Sequence, residues 1–251
     1  MLNGLYASAL GMTTQMNRMD VLSNNIANAD TTGFKRDIPI TQSFSRELEK
    51  RINDNISPLR TFSGSVGYIS RGLFVDTVAT DFSIGGLRAT GGTLDMAVLG
   101  DGFFVIGSDI ERYTRDGSFT LNAGRILVTR EGSPVMGENG IITVPDGELA
   151  ISENGDILVD GVFIDRIRTV DIENKDSLRK YGDNLYEATA ETIFADFTGQ
   201  ICQGFLERSN VRPVREMVEM ITLMRAYEAN QKVVTAEDAL LGRAVNDIAR
   251  R

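Results

Sequence analysis

The stretch MDVLSNNIANADTTGFKRD, Met19 to Asp37, decides how the rest of the chain is read. It opens as the end of an apolar stripe and breaks into asparagine, threonine and glycine. Working back from it, apolar or small positions step by three and four residues: Leu2, Leu5, Ala9, Met12, Met16, Met19, Ser23 and Ile26. That spacing predicts a helix with a seam of coiled-coil type. The helix ends in the asparagine run. Asn24, Asn25 and Asn28 each carry a donor and an acceptor, which can satisfy helix-end carbonyls, the turn at Thr31 to Gly33, or the backbone of a neighbouring molecule. The alternative is that they end the helix by propensity alone.

Working outward to the other end, Met217, Met220, Met224, Tyr227, Gln231, Val234, Asp238, Leu241, Val245 and Ile248 repeat the same alternation. Pro213 suits the first turn of a second helix, with Ser209 or Asn210 available as a cap. Arg225 and Glu228, three apart, can pair on one face and fix register between molecules. The first helix carries only Arg18 and Asp20 as charges before Asp30, so its outward face is poorly suited to water. Two partners suggest themselves, the C-terminal helix and other subunits. Packing of both helices into the core of the intervening domain is the alternative.

Between the helices the period falls to two and glycine punctuates. Asp101-Gly102, Asp116-Gly117, Asn139-Gly140, Asp146-Gly147, Asn154-Gly155 and Asp160-Gly161 separate short β-rich runs such as FFVI and RILVT. Asn or Asp before Gly accepts the positive φ of a tight turn, so this region reads as a hairpin-rich, mainly antiparallel domain over residues 72–190. The fold class expected is α+β, with terminal helices over 1–37 and 209–251 forming an inner domain. Residues 38–71, which include RELEKR, read as a connector with a short helix at its start, and 191–208 as a return segment. The glycines of GGLRATGG lack the Gly-Lys-Ser/Thr ending of a phosphate loop and lead into strand-like TLDMAVLG.

Composition narrows the chemistry. The chain has 251 residues, 42% of them hydrophobic, a formal net charge of -9 and no histidine. Without histidine and with one cysteine, zinc sites and Ser-His or Cys-His catalysis are excluded, and no cofactor is called for. An acidic chain is a poor match for nucleic acid or an anionic membrane. No run is long and apolar enough to span a bilayer, and the N-terminal residues lack the pattern of a cleaved signal peptide. Cys202 reads as a small packed hydrophobe. Paired carboxylates, as in a peptidoglycan-cleaving enzyme, are the remaining catalytic possibility among the 35 Asp and Glu residues.

The residues SALGMTTQMNRMDVLSNNIANADTTGFKRD closely resemble the N-terminal signature of the flagellar rod and hook family. SNVRPVREMVEMITLMRAYEANQKVV resembles that family's C-terminal signature, and GGTLDMAVLGDGFFVI the motif that opens its β domain. The order of the three and the lack of a large insertion look like basal-body rod proteins of the FlgF and FlgG type. Thr32, where many relatives carry proline, and Phe34, where tyrosine is commoner, are departures. The resemblance implies a non-enzymatic subunit of the axial rod in the cell envelope, transmitting motor torque. It implies export, unprocessed, by the flagellar type III apparatus, and assembly with itself and with other rod and hook subunits. The assembly interface is then expected on the N-terminal helix at Leu5, Met12, Met16, Met19, Asn24, Asn25, Ile26 and Asn28. On the C-terminal helix it is expected at Met217, Met220, Met224, Arg225, Tyr227, Glu228, Val234 and Leu241. A hook protein or another axial-family member is the alternative within the same resemblance.

Overall fold

The computed structural model describes residues 2–43, 47–50, 65–69, 72–107 and 110–249. Two long helices bracket the chain, α1 (Leu2–Ala27) and α2 (Pro213–Ala249), and all the described strands lie between them. The chain divides into two compact units. One comprises Met1–Ile26, Asp37–Ala79 and Pro213–Arg251, the other Ala27–Arg36 and Thr80–Arg212.

In the helical unit, α1 and α2 run antiparallel side by side, with Gly4 against Glu237 and Arg18 against Glu219. The strand Asp37–Ser43 pairs with Leu73–Thr80, and Glu47–Lys50 pairs antiparallel with Ser65–Ile69. The stretch after Asp37 is therefore a strand and not the short helix expected there. Ile38 and Ile40, β-branched and alternating with other residues, favour the extended form. Most of RELEKR and SGSVGY lies outside the described residues or in strands whose side chains are not described.

The β unit is built on a six-stranded sheet ordered Leu178–Gly182, Leu185–Ala188, Arg112–Thr114, Phe103–Ile106, Thr169–Ile172 and Phe194–Ala195, antiparallel throughout. The run FFVI shows why this sheet needs two covers. Phe104 and Ile106 enter one core with Met96, Val98, Leu127 and Ile142, whereas Phe103 and Val105 enter another with Tyr113, Ile172 and Tyr186. Successive side chains of a strand point to opposite faces, so an unbroken apolar run marks a strand buried on both. In the second core Phe82 and Tyr186 set their rings 5.8 and 5.7 Å from that of Phe103. Phe194–Ala195, Gln200–Gln203 and Phe205–Glu207, within the return segment, pair back onto Thr169–Ile172, Met96–Leu99 and Leu87–Ala89. Cys202 is half-buried and pairs across from Ala97.

Turn chemistry explains part of this. Asn139-Gly140, Asn154-Gly155 and Asp160-Gly161 each join strands that pair with one another. Asp160 and Gly161 have φ of 51° and 79°, the left-handed pair that a tight hairpin requires. Asp101-Gly102 joins strands of different sheets, and no pairing links the strands around Asp116-Gly117 or Asp146-Gly147. In another hairpin the order is reversed: Gly182, at φ 112°, precedes Asp183 and Asn184, at φ 47° and 56°, which join Leu178–Gly182 to Leu185–Ala188.

Candidate assembly interface

The seam between α1 and α2 is set by which side chains lose water. On α1, Ser8, Leu22 and Asn25 are buried, and Leu5, Met12, Gln15, Met19 and Ile26 are half-buried. On α2, Glu216 and Leu223 are buried, and Met220, Tyr227, Asn230, Val234, Glu237 and Leu241 are half-buried. One column of the expected seam therefore lies where the spacing put it: Leu5, Met12, Met19 and Ile26 on α1, and Met220, Tyr227, Val234 and Leu241 on α2. The other column is displaced by one residue. Ser8, Gln15 and Leu22 face inward in place of Ala9, Met16 and Ser23, and Leu223, Asn230 and Glu237 in place of Met224, Gln231 and Asp238.

Glycine explains the displacement. A side-chain carbon on Gly4 would lie 2.8 Å from the Glu237 carboxylate, and one on Gly11 3.0 Å from the Asn230 amide, so each glycine leaves a notch for a polar side chain of α2. The pairs recur seven residues apart on both helices. Two turns further along α1, Arg18 reaches Glu219 at 3.1 Å. Arg225 and Glu228, read as able to pair on one face, form no ion pair with each other and are both exposed, while Glu219 of the same helix pairs with Arg18. Thr14, buried on α1, has its hydroxyl 2.6 Å from the Leu73 carbonyl, and Gly72 leaves room for Leu10.

The displaced column points outward. Val214, Met217, Val218, Ile221 and Met224 are each half exposed or more, and together they form one continuous face on the first three turns of α2. Met16 is similarly exposed on α1. No helix among the described residues is long and apolar enough to cross a membrane.

The asparagines divide by task. Asn25 is fully buried; its amide donates to the Asp37 carbonyl at 2.8 Å and its oxygen accepts from the Asp37 amide at 2.9 Å. It thus presents to Asp37 what a neighbouring strand would. Asn28 accepts from the Thr31 hydroxyl at 3.2 Å, and its carbonyl from the Thr31 amide at 3.2 Å, closing the turn. Asn24 is exposed.

That turn already belongs to the β unit, where Lys35 is fully buried with Arg115 and Glu207. The Lys35 ammonium donates to the Glu207 carboxylate at 2.6 Å and to the Ser83 carbonyl at 2.8 Å. The other carboxylate oxygen accepts from Arg115 at 3.5 Å, and Arg115 also donates to the carbonyls of Gly100 and Val98. Burial lowers the pKa of both Lys35 and Arg115, with Glu207 opposing the shift. Sequence reasoning missed these three residues. They stand far apart in the chain, and Lys, Arg and Glu are almost never fully buried unless paired. The one available signal was the charge of Lys35 directly after the apolar Phe34.

Three family models match in chain order. One described as flagella basal body rod protein covers residues 5–35, one described as flagellar hook protein FlgE/F/G D1 domain covers 97–159, and one described as flagellar basal body rod FlgEFG protein C-terminal covers 203–247. The flagellar basal-body rod protein FlgF of Caulobacter vibrioides is 37% identical over 245 residues, 94% of each chain. FlgG of Bacillus subtilis is 34% identical over 264 residues, 98% of this chain and 99% of that one. FlgG of Borreliella burgdorferi is 32% identical over 267 residues, 98% of each. Matches of this extent, with the helix pair and the β unit in the order the models require, make this chain a member of the flagellar basal-body rod protein family.

Proposed function

We propose that this protein is a structural subunit of the flagellar rod that polymerises with itself and with other axial subunits into a torque-transmitting tube in the cell envelope. The observation that carries the reading is the outward apolar face of α2. A contiguous strip of valine, methionine and isoleucine on a helix whose other face is already packed is a surface awaiting a partner. In a polymer built from identical chains, a face that meets a different face of the next copy gives an open helical assembly. Met16, Met217 and Met224 serve that contact. Leu5, Met12, Met19, Ile26, Met220, Tyr227, Val234 and Leu241 serve it indirectly, by holding α1 and α2 together. Arg225 and Glu228, exposed on the same helix, are free to pair across subunits. Export through the flagellar type III apparatus completes the reading.

Electrostatics favours this over a carboxylate enzyme. An acid catalyst near neutral pH needs a raised carboxyl pKa. Among the described residues, the carboxylates with a resolved shift, Asp81, Asp101 and Asp156, are all held below the ordinary value.

The test is substitution on the two faces of one helix, in a motile strain carrying the variant as its only copy. Met224→Asp places a carboxylate in the intersubunit contact, at a cost of about 3 to 5 kcal/mol if it stays charged and unpaired. Rods and swimming should be lost while the purified variant keeps its helical content and its melting temperature. Leu223→Asp, one residue away on the inner face, should reduce the helical content itself. Normal rods from the Met224→Asp strain would sink the assignment of this face.

A further inference from the structure

Residues 31–36 lie inside the β unit without belonging to its framework. None of them is in a strand, and neither apolar core includes a residue from this segment among the described residues, although Phe34 is buried. The segment is held by separate attachments. The Gly33 amide donates to the Glu207 carbonyl at 2.9 Å, and the Arg36 amide to the Asn210 side chain at 2.8 Å. The Thr32 hydroxyl donates to Asp116, the Asn184 amide donates to the Thr32 carbonyl, and Lys180 donates to the Lys35 carbonyl while resting over the Phe34 ring. Gly33 passes so close to the backbone of Arg115 and Asp116 that no side chain would fit.

Charge counting shows which part of the cluster stands by itself. With the segment lifted away, Glu207 still accepts from the Gly85 amide at 2.8 Å and from Arg115, and Arg115 keeps the Gly100 and Val98 carbonyls. One buried anion then faces one buried cation. With Glu207 removed instead, two buried cations remain, and the nearest other carboxylate, on partly exposed Asp101, stands 4.0 Å from Arg115. A buried charge without a counter-charge costs far more than one that keeps a single opposite partner.

We propose that Glu207 and Arg115 form a socket complete in itself, and that residues 31–36 are a plug, seated by the Lys35 ammonium, that leaves and re-enters the β unit without unfolding it. The plug's departure leaves both apolar cores closed. This inference rests on the contacts within the β unit and not on the rod reading.

Hydrogen exchange of the full chain, resolved to single amides, tests it. In the unaltered protein the amides of Gly33 and Arg36 should exchange at least tenfold faster than those of the strand Phe103–Ile106, through an opening that spares the strand. Equal protection of the two sets would mean that they open only together, and would overturn the proposal. In Lys35→Met, the Gly33 and Arg36 amides should exchange a further tenfold faster while Phe103–Ile106 keeps its protection. Acceleration of both sets in step, or a variant that does not fold, would make the segment an integral part of the fold. An unchanged Gly33 amide would show that Lys35 does not seat it. Glu207→Gln, which strands two cations, should accelerate exchange in both sets.

Discussion

A buried asparagine that offers its amide to one backbone residue, as Asn25 does to Asp37, acts as a one-residue strand. Changing Asn25 to Ala leaves the Asp37 amide and carbonyl without those partners, at about 1 to 3 kcal/mol for each group that stays buried. Chemical denaturation monitored by helical circular dichroism should show that loss. Asn28→Ala should cost less, since the turn keeps its Thr31 backbone bond. Equal effects of the two substitutions would mean that both asparagines only end the helix. Acid should act through other residues. The Arg166 guanidinium beside Asp156 holds its carboxyl below the ordinary 3.8. Lys175 does the same for Asp101, against some burial, and at Asp81 burial is outweighed by Ser83 and Arg36. Carboxyl groups lowered in the folded state bind fewer protons there than in the unfolded chain. Their contribution is therefore full above the unfolded value of 3.8 and disappears as pH falls through their folded values. The denaturation midpoint should drop below about pH 4 and drop less in Asp156→Asn; identical acid profiles would exclude Asp156 as a contributor. The asparagines were legible because their polarity interrupts an apolar stripe. Lys35, Arg115 and Glu207 were not, because a buried ion cluster is specified by three positions that only folding brings together.

At the scale of elements, the two helices were visible in the spacing of apolar residues, but only one column of their seam was. The second column mixes Leu22 and Leu223 with the polar Ser8, Gln15, Asn230 and Glu237, and so carries too little apolar signal to be told from its neighbours Ala9, Met16, Ser23, Met224, Gln231 and Asp238. Gly4 and Gly11 make those positions usable, and a helix glycine signals that only when its partner is known. Two glycine substitutions separate notch from propensity. Gly11→Leu drives a side chain into Asn230 and should destabilise the helix pair by about 1 to 3 kcal/mol. Gly242 has nothing within 4 Å, so Gly242→Ala should stabilise α2 by about 0.5 to 1 kcal/mol. Thermal melts of both variants, read by helical signal, check the pair; a neutral Gly11→Leu would remove the notch. Hairpins followed the same division. Asn and Asp before Gly announced Asp160-Gly161, whereas at Asp183-Asn184 the left-handed pair follows its glycine, Gly182, and the Asn-Gly or Asp-Gly pattern misses it.

For the whole molecule, the units cut across the order of the sequence, with the helical unit assembled from both ends and the β unit from the middle plus Ala27–Arg36. Trypsin reads this directly. Arg18 is only half-buried on α1, and Arg212 and Arg215 are exposed at the start of α2, whereas Lys35 is inaccessible in the β unit. Brief digestion of the folded monomer should cut after exposed residues such as Arg215, the bond after Arg212 being closed to trypsin by Pro213, and should spare the bond after Lys35; early cleavage there would contradict its burial. The pairing of Gly4 with Glu237 also carries a consequence for time. A chain that emerges N-terminus first presents α1 almost at once, but its partner arrives only after nearly every other residue has followed. Closing so long a loop is entropically costly and slow compared with folding the local hairpins. During that interval α1 has no intramolecular partner, and any surface able to accept its inner face has first claim on it.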